Sequence, residues 1–134
     1  MTLNLRGTVT LIEVFNVKAS ITFYRDVLGF EVIQSAGTGD YLGWAWLRHG
    51  DVVEIMLNAM YDPGEEPAAP DAQRAAAHRD TMLFIACPDV DGAYAYLLPK
   101  IVALKPPVDA HYGMRQLSFS DPDGYGLCLQ WPVT

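Results

Sequence analysis

Residues 16–30, NVKASITFYRDVLGF, predict one amphipathic helix together with both of its ends. Asn16 is a residue type that caps the first turn of helices, and Gly29 is the residue type that most often ends them. The apolar side chains at helical spacing are Val17, Ile21, Tyr24 and Leu28. They form one stripe, so the helix is expected to pack that side against a sheet.

Strand-like segments surround this helix in the first half of the chain. Each is short, rich in β-branched or aromatic residues, and bounded by turn residues. The predicted strands are Thr8–Val14, Phe30–Gln34, Tyr41–Arg48 and Asp51–Leu57. The order strand, helix, strand, strand, strand predicts a βαβββ unit.

The second half of the chain repeats this order of signals. Asp89 lies 73 residues after Asn16 and is expected to cap a helix that begins at Val90. The predicted strands are Thr81–Cys87, a weaker Val102–Lys105, Met114–Ser120 and Tyr125–Trp131. Between the last two, residues 121–124 read Asp-Pro-Asp-Gly, a turn sequence.

These signals predict a single domain over residues 1–134, made of two tandem units. The first unit is expected at about residues 1–58 and the second at about 81–134. The proline-rich segment 59–80 is expected to join them, with one short helix over Asp71–His78.

The composition makes some classes of binding partner unfavourable. The 134 residues are 51% hydrophobic and carry a net charge of −7, which is typical of a folded domain and unfavourable for nucleic acid or an anionic membrane surface. The apolar runs are too short to span a bilayer, and the residues before the first strand lack the pattern of a secretory signal, so none is expected. Cys87 and Cys128 are interpreted as reduced thiols, so a cytoplasmic location is expected.

The sequence resembles the vicinal oxygen chelate superfamily, which includes glyoxalases, bleomycin resistance proteins and extradiol dioxygenases. The matching segments are residues 16–30, 44–51, 112–115 and 121–124, which together span nearly the whole chain. The resemblance implies an α+β fold in which the curved mixed sheets of two βαβββ modules enclose a cavity, with the helices outside. It also implies a homodimer, whether or not the two chains exchange modules.

Metal-dependent members of this superfamily place one ligand on each of four strands, and the resemblance assigns these positions here. The residues at those positions are Val9, Glu54, Leu83 and Cys128. Valine and leucine cannot bind a metal, and one carboxylate with one thiol is a poor site for magnesium, manganese, nickel or iron(II). We therefore expect no metal and no other cofactor.

Eight residues are candidates for ligand binding. Strand alternation, combined with the resemblance, places Glu54, Met56, Glu13 and Cys128 on the cavity side. Trp44 and Trp46 are two residues apart, so both rings share one face, which is either the cavity or the core. Arg115 is a possible partner of a cavity carboxylate, and His111 lies at a strand entrance near the expected cavity mouth.

Two classes of function follow. The first, closest in pattern to the bleomycin resistance proteins, is metal-free binding or sequestration of a small, partly aromatic molecule, as in antibiotic resistance. The alternative is an enzyme: a metal-dependent glyoxalase or dioxygenase, or a metal-free isomerase or lyase that uses Glu54 or Glu13 as a base. The identity of the ligand does not follow from the residues.

Overall fold

The computed structural model describes residues 1–133 and contains two β-α-β-β-β units in sequence. The elements of the first unit are β1 (Thr10–Val14), α1 (Val17–Ile21), β2 (Glu31–Thr38), β3 (Tyr41–His49) and β4 (Val53–Ala59). A π-helical segment, Thr22–Val27, continues α1. The predicted helix is therefore present over nearly its whole length, although its second half has wider turns.

A linker and the second unit follow. The linker contains α2 (Ala72–Ala77) and a 3₁₀ turn (His78–Asp80). The elements of the second unit are β5 (Met82–Ala86), α3 (Val90–Leu97), β6 (Val108–Asp109), β7 (Met114–Ser120) and β8 (Gly126–Pro132). The predicted end of this unit, Thr134, lies outside the described residues.

Each unit forms its own four-stranded sheet. The strand order is β1-β4-β3-β2 in the first sheet and β5-β8-β7-β6 in the second. In both, the first strand pairs parallel to the last and the remaining pairs are antiparallel. This confirms the predicted α+β fold of two βαβββ modules. The sheets are separate and neither closes, so the expected enclosure of a cavity is only partial.

The helix predictions are confirmed at their first turns. The Asn16 side chain accepts a hydrogen bond from the Ala19 amide at 3.0 Å, and the Asp89 side chain accepts one from the Gly92 amide at 2.9 Å. Each cap satisfies an amide that has no partner within its own helix. Among residues 1–133, no helix is both long and apolar enough to cross a membrane.

One strand prediction is wrong. Residues 102–103 form a turn and residues 104–105 are irregular, and the edge strand of the second sheet is instead the two-residue β6 (Val108–Asp109). Ala103 has a φ of 59°, a left-handed conformation that no strand residue adopts. Pro106 and Pro107 then delay the return to extended pairing because proline donates no amide hydrogen bond.

The 121–124 turn joins the two units. Asp121 accepts a hydrogen bond from the Tyr24 hydroxyl at 2.7 Å, and Asp123 accepts one from the Phe15 amide at 2.8 Å. Both carboxyl groups are buried. Burial raises the pKa of Asp121 to about 6. The turn of the second unit thus packs against the first helix and against Phe15, which precedes that helix.

The linker packs on the same turn. The His78 ring stacks on the Tyr125 ring at 4.0 Å between centroids, and its Nδ1 lies 2.7 Å from the Asp123 carbonyl oxygen. The Tyr125 hydroxyl in turn donates to the Glu13 carbonyl oxygen at 3.0 Å. His78 is therefore half-buried between the units.

Candidate binding site

The outer face of the first sheet, opposite α1, carries most of the candidate residues. Ala45 and Leu47 are fully buried on the inner face, where they belong to the core cluster that also contains α1 residues. Trp44 and Trp46 alternate with them and therefore lie on the outer face. Of the two alternatives that the sequence left open for these rings, the structure therefore excludes the core.

Strand pairing arranges these side chains in three rows. The rows are Glu13–Asn58–Trp44, then Leu11–Met56–Trp46, then Glu54–Arg48–Glu31. Successive rows are two residues apart along each strand, which corresponds to about 7 Å. Glu13 and Glu54 therefore share the face but stand about 13 Å apart, at its opposite ends.

Glu13 has a neutral partner. The Asn58 amide donates to both of its carboxylate oxygens, at 3.0 and 3.2 Å. Within residues 1–133 no cation forms an ion pair with this carboxylate. Its negative charge is thus available to a bound cation or hydrogen-bond donor.

Glu54 is already paired. Arg48, directly opposite on β3, places its Nε and one terminal nitrogen each 3.0 Å from the same oxygen of Glu54. The guanidinium carbon also lies 5.1 Å from the centre of the Trp46 ring, a cation–π contact. Arg48 was not among the predicted site residues, although its i, i+2 spacing from Trp46 was the available signal.

The charge on this face is negative. The face carries three carboxylates, those of Glu13, Glu31 and Glu54, and one guanidinium, that of Arg48. The buried Nε1 of Trp46 has no acceptor among the described residues. A face with two indole rings and excess negative charge is suited to a flat molecule that is cationic or donates hydrogen bonds.

The second sheet offers a different surface. Cys128 pairs with Phe84 on one side and Ser118 on the other, so these three side chains share the face opposite α3. Leu83 pairs with Leu127 on the other face. The assignment of Leu83 to the cavity side is therefore wrong by one residue, and Phe84 takes that position.

Two candidates lie apart from this group. Arg115 forms ion pairs with Asp91 at 2.8 Å and Asp109 at 2.9 Å, so Glu54 is not its partner. His111 is exposed in the loop before β7 and contacts Tyr112. Neither lies on the outer face of the first sheet.

The donor set does not fit a divalent metal. Glu54 is engaged by Arg48, Leu83 faces the core, and Cys128 is buried beside Phe84. Among residues 1–133 no three His, Cys, Asp or Glu side chains converge as a metal site would require.

Two concave regions lie between the units. A cleft of about 440 Å³ is lined by Glu54 from the first sheet and by Met82 and Phe84 from the second. Another, of about 260 Å³, lies between the end of the first helix and α3, and its wall is mostly apolar. Of the eight candidates, Glu54 lines the first cleft and none lines the second, so the candidate surface is the sheet face together with the adjoining end of the first cleft.

The fold and the sequence identify the family. The model of the Glyoxalase/Bleomycin resistance protein/Dioxygenase superfamily matches residues 8–129, which include both sheets almost entirely. The chain belongs to this superfamily. No curated protein matches its sequence significantly.

Solved structures with the same fold include proteins that bind antibiotics. A bleomycin-binding protein from Streptomyces verticillus, in complex with copper(II)-bleomycin, is 20% identical with a TM-score of 0.67 over 99% of each chain. TnmS3, an antibiotic-binding protein from Streptomyces sp. CB03234, is 22% identical with a TM-score of 0.71 over 98% of this chain and 99% of its own. TioX from Micromonospora sp. ML1 is 16% identical with a TM-score of 0.73, covering 96% and 99%. At these identities the likeness concerns the fold.

Proposed function

We propose that this superfamily member binds and sequesters a small, partly aromatic molecule that carries a cation or a hydrogen-bond donor, without a metal. The observation that carries the proposal is Glu13, a carboxylate in the same row as Trp44 whose side-chain partner within residues 1–133 is the Asn58 amide. Stacking on an indole and a charge-assisted bond to a carboxylate are the two interactions that such a ligand would gain.

The antibiotic-binding neighbours support a ligand of this kind. Two of them are described as binding bleomycin or an antibiotic, and they share the fold over nearly the full chain. By extension, the ligand of this protein is antibiotic-like, and the protein is located in the cytoplasm. There Cys87 and Cys128, both free, would remain reduced.

Titration with proflavine, a flat aromatic cation, tests this proposal. We expect proflavine to quench tryptophan fluorescence and to bind more tightly than the anion 1-anilinonaphthalene-8-sulfonate. Glu13→Gln should weaken proflavine binding about 3- to 10-fold, since it removes one charge-assisted contact. Glu65→Gln, on the exposed linker, is the matched control and should leave the affinity unchanged. Equal affinities of the two variants would reject Glu13 as the anchor.

We further propose that the protein acts as a homodimer. Large apolar side chains remain exposed on both outer sheet faces of one chain: Phe84 at 55%, Leu11 at 45% and Met82 at 42%. A second copy that covered these faces would bury this surface and complete the open cleft.

Sedimentation at micromolar concentration should therefore show a dimer. Phe84→Glu should shift it to the monomer because the substitution places a charge in the buried contact. Val102→Glu, at an exposed loop position, should leave the dimer intact. A monomeric wild-type protein would contradict this part of the proposal.

A further inference from the structure

The Trp46 ring is not free in this structure, because the guanidinium of Arg48 lies over it. The guanidinium carbon is 5.1 Å from the ring centre, and Glu54 holds the same group at 3.0 Å. An indole ring together with a carboxylate is a pair that recognises a flat cation. The protein's own arginine therefore occupies a place with the chemistry of a cation-binding subsite.

We infer that the Arg48 guanidinium occupies the position of a ligand group. A flat, delocalised cationic group of the bound molecule displaces this guanidinium from Trp46 and binds between the Trp46 ring and Glu54. The inference rests on the proposed function and deepens it. It makes Arg48 a built-in competitor that sets the affinity and selectivity of the site for flat cations.

The contacts that hold Arg48 are weak enough to be exchanged. The side chains of Arg48 and Glu54 retain 33% and 21% of their exposure, so water screens the ion pair. Glu54 would not be left unpaired after the exchange, since the incoming cation replaces the guanidinium. The cost of displacing Arg48 is therefore limited to the difference between two similar sets of contacts.

Arg48 also has an alternative partner. Its two strand neighbours are Glu54 on β4 and Glu31 on β2, and each lies directly opposite it. Every residue of β2 is exposed, including Glu31. A displaced Arg48 can thus turn from Glu54 to Glu31 across the same row, which keeps its charge compensated.

The test compares proflavine with acridine, which has the same ring system but is neutral in mildly alkaline buffer. Arg48→Gln should bind proflavine on the order of 5-fold more tightly than the wild type, because the competing guanidinium is gone. Its affinity for acridine should change less than about 2-fold. Arg48→Lys, a cation without a flat face, should lie between the wild type and Arg48→Gln.

Arg115→Gln is the matched control, since Arg115 is also ion-paired but lies outside the site. In the double variant Arg48→Gln/Glu54→Gln the gain in proflavine affinity should be lost. If Arg48→Gln binds proflavine no more tightly than Arg115→Gln does, this inference is overturned. In that case a loss of proflavine affinity in Glu13→Gln would leave the proposed function standing. If neither the wild type nor any variant binds either probe, both are overturned.

Discussion

Glu13 and Glu54 show how cross-strand partners give two residues of one type different roles. Both are half-buried acidic residues on the same sheet face. Asn58 offers Glu13 only amide hydrogen bonds, whereas Arg48 neutralises Glu54. The first carboxylate is therefore the more direct anchor for a cation, and the second acquires that role only when Arg48 leaves.

The unusual backbone conformation of Ala103 can be tested by substitution. Ala103 has a φ of 59°, which is unfavourable for alanine and favourable for glycine. Ala103→Gly should raise the free energy of unfolding by about 0.5–1 kcal/mol. The same change at Ala95, exposed in α3, should lower it by about 1 kcal/mol. Urea denaturation of both variants checks the opposite signs, and a loss at Ala103 would contradict the conformational argument.

Among the elements, the 121–124 turn and α2 depend on each other. Gly124 has a φ of 87°, and a side chain there would collide with the carbonyl oxygen of Ala75 in α2. The helix lies against the turn so closely that only glycine fits between them. The linker helix is thus part of the contact that joins the two units.

Gly124→Ala should therefore destabilise the protein more than backbone strain alone explains. Gly64, with a φ of 81° and open space around it, is the matched control. Gly64→Ala should cost about 1–2 kcal/mol, and Gly124→Ala about 2 kcal/mol more, because α2 must also move. Thermal or urea denaturation gives both values. Equal losses would show that α2 shifts aside without penalty.

Across the whole molecule, buried carboxyl groups connect the two units. Asp121 and Asp123 receive hydrogen bonds from Tyr24, Phe15 and Ser20 of the first unit. Burial raises the pKa of both carboxyl groups, that of Asp121 to about 6 from 3.8. Their ionisation therefore opposes the contact between the units.

This predicts a particular dependence of stability on pH. Because the folded pKa of Asp121 exceeds the unfolded value, the folded chain binds more protons between about pH 4 and pH 6. The stability that protonated Asp121 contributes is complete below this window and falls as the pH rises through it. The loss should be on the order of 3 kcal/mol, since each unit of pKa difference corresponds to about 1.4 kcal/mol.

Asp121→Asn should remove this part of the dependence, since the amide does not titrate and can still accept from the Asp123 and Tyr125 amides. Asp80→Asn, at an exposed position, is the control and should follow the wild type. The measurement is the free energy of unfolding across pH 4 to 7. A constant difference between wild type and Asp121→Asn over that range would contradict the prediction.

The sequence by itself determined the local features. Asn16 and Asp89 are recognisable caps because capping depends on side chains within one helical turn. Alternation correctly placed Trp44 and Trp46 on one face because side chains along a strand alternate wherever the strand lies. The repeated order of helix and strand signals predicted the two βαβββ modules, because each signal depends on residues that are close together in the sequence.

Only the tertiary structure decided which face the tryptophans take and which partner each carboxylate has. Strand register and sheet order set Arg48 opposite Glu54, Asn58 beside Glu13, and Phe84 rather than Leu83 beside Cys128. These pairs join residues that are distant in sequence or on separate strands. Their geometry follows from how the strands pair and pack, and a shift of one residue would exchange every side chain between the two faces.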